Sequence, residues 1–310
     1  MEKQIQIQRP PTLSELVPRF LRHAQLESRF APQSLAKYEE CLRMVSRMIG
    51  DLPVTSYTGE DIMDLKAATL ARGHSVSRQI SILSAMKRFL KFCAKSGYEV
   101  LPAELVTVPT RKWDDVIYLT VEEVQRFVAV IPTTTLRDQP HLPGIRFRAL
   151  VEVLLGTAMR ISEVLSLDRN QIDFTARDAR IMGKGNKPRT VFFTTRALEW
   201  VERYLRLRTD LEPALFVCLG GKGRLKREDI WRPFSRYRKL AGINKPVTPH
   251  MLRHTAATQL LFNGCPVGHI KEILGHSRLE TTCRYYLGLD LRAAKRAHQR
   301  FLVYDDQQAA

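Results

Sequence analysis

The chain has 310 residues, of which 44% are hydrophobic and 26% charged, a composition that excludes a disordered polymer and leaves room for two domains with cores of their own. Lys and Arg number 49 against 32 Asp and Glu, and the net charge of +17 favours a polyanionic partner, either nucleic acid or an anionic membrane surface. No apolar run is long enough for a membrane span, the opening MEKQIQIQRPP lacks the charged-then-apolar pattern of a secretory leader, and five scattered cysteines offer neither a disulfide framework nor metal-ligand spacing.

Thr12 and Glu15 have capping-box spacing and predict a first helix, with Pro18 in its early turns. Ser34 opens a second, with Leu35, Tyr38, Leu42, Val45 and Met48 at helical spacing, and Gly50 ends it. A third starts at Gly59 or Glu60. Ser75 leads a fourth, whose stripe of Val76, Ile80, Leu83, Met86, Phe89, Leu90 and Phe92 lies beside Arg78, Lys87, Arg88, Lys91 and Lys95. Residues 10–97 therefore read as an all-α, four-helix bundle, and a basic face beside an apolar stripe suits a helix lying on a phosphate backbone. Leu101 to Asp115, punctuated by Pro102 and Pro109, reads as a linker, which gives an N-terminal domain over 1–100, a linker over 101–115 and a second domain over 116–310.

In the second domain Thr120 and Glu123 form another capping box, and a Pro-rich loop precedes the helix RFRALVEVLL. The string GTAMR breaks that helix, so Arg160 stands at the opening of ISEVLSL with Glu163 one turn on, placed to hold its guanidinium. A β-hairpin follows, ARIMGKGNKPRTVFFT, with Lys184 on its turn and Lys187 and Arg189 close by; no phosphate-loop spacing surrounds the GKG. A helix over Thr195 to Leu207, a basic Gly-rich loop and a basic helix from Ile230 to Ala241 lead to Pro249.

His250 and Arg253 stand three apart on one helix face and can reach a single anion together. Gly264 suits a helix C-cap, a short run through Val267, Ile270, Ile273 and Leu274 closes at Gly275, and His276 belongs to the turn that follows. Ser277 with Glu280 predicts a new helix that carries Tyr285 and Tyr286. Asp290 to Gln299 reads as a small amphipathic helix with too little apolar area to stand alone.

Arg160, Lys184, His250, Arg253, His276 and Tyr285, in that order and within the strings GTAMRISEVLSL, GKGNK, HMLRHTAATQL and LGH, with a Tyr nine residues past the last His, resemble the tyrosine recombinases, the phage-integrase and Xer-type family. The resemblance spans about residues 10–300. It implies a mainly α chain of two domains: an N-terminal four-helix core-binding (SAM-like) domain and a C-terminal mixed α+β catalytic domain with a small antiparallel sheet. It also implies site-specific DNA recombination through a covalent 3′-phosphotyrosine. Tyr285 is then the nucleophile by spacing, with Tyr286 its neighbouring rival. His250 assists the loss of the phenolic proton, Arg160 and Arg253 hold the non-bridging oxygens, and His276 donates a further hydrogen bond there. Lys184 is the general acid, with Lys187 and Arg189 as rivals. No cofactor and no metal are expected, because the phosphotyrosine retains the bond energy and the arginines take the part of a metal clamp. The expected partner is double-stranded DNA, bound at paired sites by a homotetramer or by a heterotetramer with a related recombinase, the C-terminal helix passing to a neighbouring protomer. No membrane is expected, and the setting implied is a bacterial cytoplasm, on the nucleoid. The chain is read as starting at the core-binding bundle, without an arm-binding domain. A type IB topoisomerase that relaxes DNA and a non-catalytic DNA binder on the same scaffold are the competing readings.

Overall fold

The computed structural model describes residues 9–110, 117–183, 188–220 and 223–275. Lys184, Lys187, His276, Tyr285, Tyr286 and the expected C-terminal helix lie outside the described residues. The chain forms two compact units, Met1–Asp114 and Asp115–Ala310.

The first unit is helical: α1 (Leu13–Leu26), α2 (Pro32–Ile49), α3 (Gly59–Ala71) and α4 (Val76–Lys95). Thr12 and Glu15 form the reciprocal cap of α1, and Ser75 caps α4. α2 begins two residues ahead of Ser34 because Pro32 sits at its first position, where a fixed φ and a missing N–H cost nothing. The apolar stripes close on one core of Leu16, Phe20, Leu42, Val45, Met86 and Phe89, with the Phe20 and Phe89 rings edge to face at 5.7 Å. Part of the stretch read as linker is structured. Ala103–Leu105 forms a 3₁₀ turn, Ala103 and Val106 are buried in this core, and Lys66 Nζ donates to Thr107 Oγ1 at 2.7 Å.

Four cations of the basic face on α4 have partners inside the unit. Arg78 pairs with Glu40 at 2.6 Å, Lys91 with Glu104 at 3.3 Å, Lys87 Nζ donates to Val106 O, and Arg88 lies over the Phe30 ring. Exposed pairs of this kind are worth at most about 1 kcal/mol, so they hold the side chains in place without removing them from competition by a phosphate.

In the second unit α5 (Val121–Ala129), α6 (Leu142–Thr157) and α7 (Ile161–Ser166) precede an antiparallel sheet, and α8 (Thr195–Arg206), α9 (Glu228–Leu240), α10 (Pro249–Phe262) and α11 (Val267–Leu274) follow it. The sheet runs in the order β1 (Ile172–Asp173), β2 (Asp178–Met182), β3 (Pro188–Phe192), with Ile181 opposite Arg189. Ala179, Ile181 and Val191 face the core, the alternation expected of a half-buried hairpin. α6 is the centre of this unit: it is buried almost all round and packs against both α8 and α10. Phe147 on α6 meets Phe234 on α9 at 4.9 Å. Among the described residues no helix is long and apolar enough to cross a membrane.

α6 and α8 approach closely at Gly156. A Cβ there would collide with Thr194 Oγ1, which caps α8, and stand 3.1 Å from Ala197 Cβ. Gly156→Ala is expected to destabilise the protein by about 1–3 kcal/mol, the usual range for overpacking, read as a lower urea midpoint at unchanged slope.

Candidate active site

α6 does not fade out but is stopped. Ala158 adopts the left-handed conformation, φ 53°, as its C-cap, and Thr157 Oγ1 accepts from the Met159 amide at 3.2 Å. Two residues later Arg160 opens α7. Its amide donates to Glu163 Oε2 and its Nη1 to Glu163 Oε1, both at 2.9 Å, so one carboxylate fixes the backbone and the guanidinium together. α10 starts just as firmly, with Thr248 accepting from the Met251 amide at 3.1 Å and Pro249 in first place. His250 then lies in the first turn and Arg253 one turn on.

These two residues share a helix face but meet different surroundings. Arg253 is 4% exposed, its Nη1 donating to Ala158 O at 2.7 Å and its Nη2 to Leu274 O at 2.5 Å. Arg160 Nη2 donates to the next carbonyl, Gly275 O, at 3.2 Å, and Arg189 Nη1 donates to the preceding one, Ile273 O, at 2.9 Å. Three successive carbonyls at the end of α11 thus take three guanidiniums, each from a different element. The end of a helix is the place for them, since its last carbonyls lack intrahelical partners and carry its partial negative charge.

His250 keeps an exposed edge, yet its imidazole is held below the ordinary histidine value, first because packed atoms strip water from it and then because Arg253 and Arg160 repel a positive ring. The structure therefore brings Arg160, His250 and Arg253 together. His254, which sequence reasoning passed over, packs against His250 with ring centroids 4.2 Å apart and the two Nε2 atoms at 2.9 Å. One of those nitrogens carries the proton and the other accepts it. The i, i+4 spacing was its only signal.

Arg189 was read as a rival for the general acid, and its position argues against that. Its side chain is 15% exposed, it donates to Glu163 Oε2 at 2.8 Å as well as to Ile273 O, and a guanidinium gives up no proton near neutral pH. It also explains Gly275. With φ at +60° and Arg189 Nε only 2.8 Å from where a Cβ would stand, any other residue there would strain the backbone and push the Arg189 side chain aside. Glu163 is 6% exposed; burial raises its carboxyl, but the Arg160 amide and the guanidiniums of Arg189 and Arg160 outweigh this and hold it below the usual carboxylate range. Among the described residues no three His, Cys, Asp or Glu side chains are grouped to hold a metal ion.

The sequence matches the phage integrase family over residues 118–291, more than half of the chain. It is 33% identical over 267 residues to the tyrosine recombinase XerC of Chlamydia caviae, covering 84% of this chain and 82% of that protein. Among solved structures, the Tn1549 transposon integrase in complex with transposon right end DNA superposes with a TM-score of 0.79 at 19% identity, covering 94% of this chain and 100% of that one. A lambda integrase tetramer bound to a Holliday junction gives a TM-score of 0.69 at 17% identity, covering 89% of this chain and 80% of that one. This chain belongs to the phage integrase family, the tyrosine recombinases.

Glu163→Ala would leave Arg160 and Arg189 without their shared counter-charge and is expected to cost about 3 kcal/mol of stability, as when one partner of a buried pair is removed. The carboxyl titrates lower folded than unfolded, so its contribution is present above the ordinary value of 4.5 and lost as pH falls through the folded value. Urea unfolding from neutral to acid pH should show the gap between wild type and Glu163→Ala closing in that direction.

Proposed function

We propose that the chain is a site-specific DNA recombinase that cuts and rejoins strands through a 3′-phosphotyrosine at Tyr285. The observation that carries this reading is the convergence of Arg160, His250 and Arg253, with both guanidiniums fixed on backbone carbonyls. The phenolic oxygen of Tyr285 attacks the scissile phosphorus, the bond to the 5′-oxygen breaks, and a 5′-hydroxyl leaves. A phenol with a pKa near 10 must lose its proton as it attacks, and a neutral His250 is the group that accepts it. Arg160 and Arg253 bind the charge that gathers on the non-bridging oxygens, and held in advance they need no reorganisation when it appears. His276 adds a hydrogen bond to the same oxygens, and Lys184 protonates the leaving oxygen. Attack by the 5′-hydroxyl of a second strand reverses the step and yields a recombinant, with no external energy consumed.

Double-stranded DNA is the substrate in this reading, bound by the +17 chain. The first unit serves as the core-binding domain, and a tetramer on paired sites is the assembly. The relatives carry names of recombinases and integrases, which favours strand exchange over topoisomerase-type relaxation or binding alone.

Trapping on nicked suicide substrates, built from DNA selected for binding and run in EDTA, tests the chemistry. A covalent adduct is expected with wild type and Tyr286→Phe and none with Tyr285→Phe; no adduct on DNA that the protein binds would favour the non-catalytic binder. Arg160→Ala and Arg253→Ala should each slow adduct formation by roughly 10²–10³-fold, the usual loss of a preorganised donor. Because His250 must be neutral and burial with two arginines holds it so, the rate should be retained at the ordinary histidine value of 6.5 and fall only at more acid pH. A rate already halved above that value would remove His250 as the base.

A further inference from the structure

We propose that Arg189 is a positioning residue for cleavage: by balancing the charge of Glu163 and anchoring the end of α11, it keeps Arg160 aimed and the net charge around it positive. The proposal rests on the recombinase reading of the same site.

Glu163 holds Arg160 through its amide and its Nη1, contacts that aim the guanidinium but also neutralise it. An arginine whose charge is spent on a buried carboxylate is a weak ligand for a phosphate. Arg189 supplies a second cation to the same carboxylate, Nη2 to Oε2 at 2.8 Å, and the trio keeps a net positive charge. Of the two arginines Arg160 is the more exposed, with 32% of its side chain accessible against 15% for Arg189, so the surplus charge is presented at Arg160.

A second set of contacts acts on geometry. Arg189 sits on β3 opposite Ile181, and its Nη1 reaches Ile273 O, the carbonyl just before those that receive Arg253 and Arg160. One side chain therefore ties the hairpin strand to the helix end that orients both proposed phosphate ligands, one residue short of His276. Among the described residues its buried Nε has no hydrogen-bond partner, a cost that an apolar residue filling the same space would not carry. With both ends of its guanidinium committed inward, Arg189 acts through Arg160.

The test compares wild type with Arg189→Gln, Arg189→Lys and the double variant Glu163→Gln/Arg189→Gln. Single-turnover adduct formation, DNA affinity and thermal midpoint are measured for each. Arg189→Gln is expected to cleave about 10–100-fold more slowly, the loss typical of a group that orients a ligand, with DNA affinity unchanged within about threefold. Removing the unbalanced carboxylate should restore activity, the double variant cleaving at least about fivefold faster than Arg189→Gln, a coupling that independent structural losses do not produce. Cleavage by Arg189→Gln within threefold of wild type, or a double variant no faster than the single, would overturn the proposal. Where Arg189→Gln does not fold, Arg189→Lys decides, since it keeps the charge beside Glu163: cleavage within about tenfold of wild type supports the proposal, and a folded, DNA-binding but inactive Arg189→Lys overturns it. Failure of wild type itself to form an adduct would instead sink the recombinase reading.

Discussion

The end of α11 is the point on which the guanidiniums of the candidate site converge. Ile273, Leu274 and Gly275 present consecutive carbonyls to Arg189, Arg253 and Arg160, which arrive from β3, α10 and the start of α7. Carbonyls are neutral acceptors, so they orient guanidiniums without cancelling their charge. A ring of carboxylates would orient them equally well and leave nothing for a phosphate. The single carboxylate in the group, Glu163, is divided between two arginines, and the local balance stays positive.

That balance determines what His250 can be. Partly desolvated, and next to Arg253 and Arg160, its imidazole resists protonation. The same gathered cations that would bind a phosphate in the proposed reaction also keep His250 neutral, the state a base toward a phenol requires. In the reaction proposed above, the two requirements of phosphoryl transfer to tyrosine, anionic charge stabilised and a proton removed, would both draw on one electrostatic arrangement.

Much of this was legible in the sequence where the signal is local. Capping boxes at Thr12 with Glu15 and at Thr120 with Glu123 mark real helix starts, and the spacing of Arg160 and Glu163 marks a real ion pair. Helical periodicity marked the N-terminal bundle and the turn residues marked the hairpin, while the two-domain fold as a whole came from the family resemblance. What sequence reading missed is carried by backbone or by distant pairing. Three carbonyls have no residue type to announce them. Arg189 looks like one more cation near a basic turn until the strand brings it to Glu163, 26 residues back. The basic face of α4 was visible, but its internal partners Glu40, Glu104, Val106 and Phe30 come from other parts of the unit. Lys184, His276 and Tyr285 were assigned on resemblance alone.

Each residue of the string GTAMR has its own part in aiming Arg160 and Arg253. Gly156 lets α8 pack against the last turn of α6, and Thr157 closes that turn with its hydroxyl. Ala158 takes the left-handed conformation, which costs a non-glycine residue about 1–2 kcal/mol, and turns its carbonyl to Arg253. The neighbours hold it there: Ala158 is 2% exposed in a small cluster with Ala257, Ile270 and Leu274, so its methyl is part of the contact between α10 and α11. Glycine would relieve the strain and lose that contact, while a larger side chain would separate the helices. Met159 is fully buried in the main core, and only then does Arg160 emerge. The polar cluster thus inherits its geometry from apolar packing one layer below, and Arg160 and Arg253 are aimed by the backbone that this packing fixes.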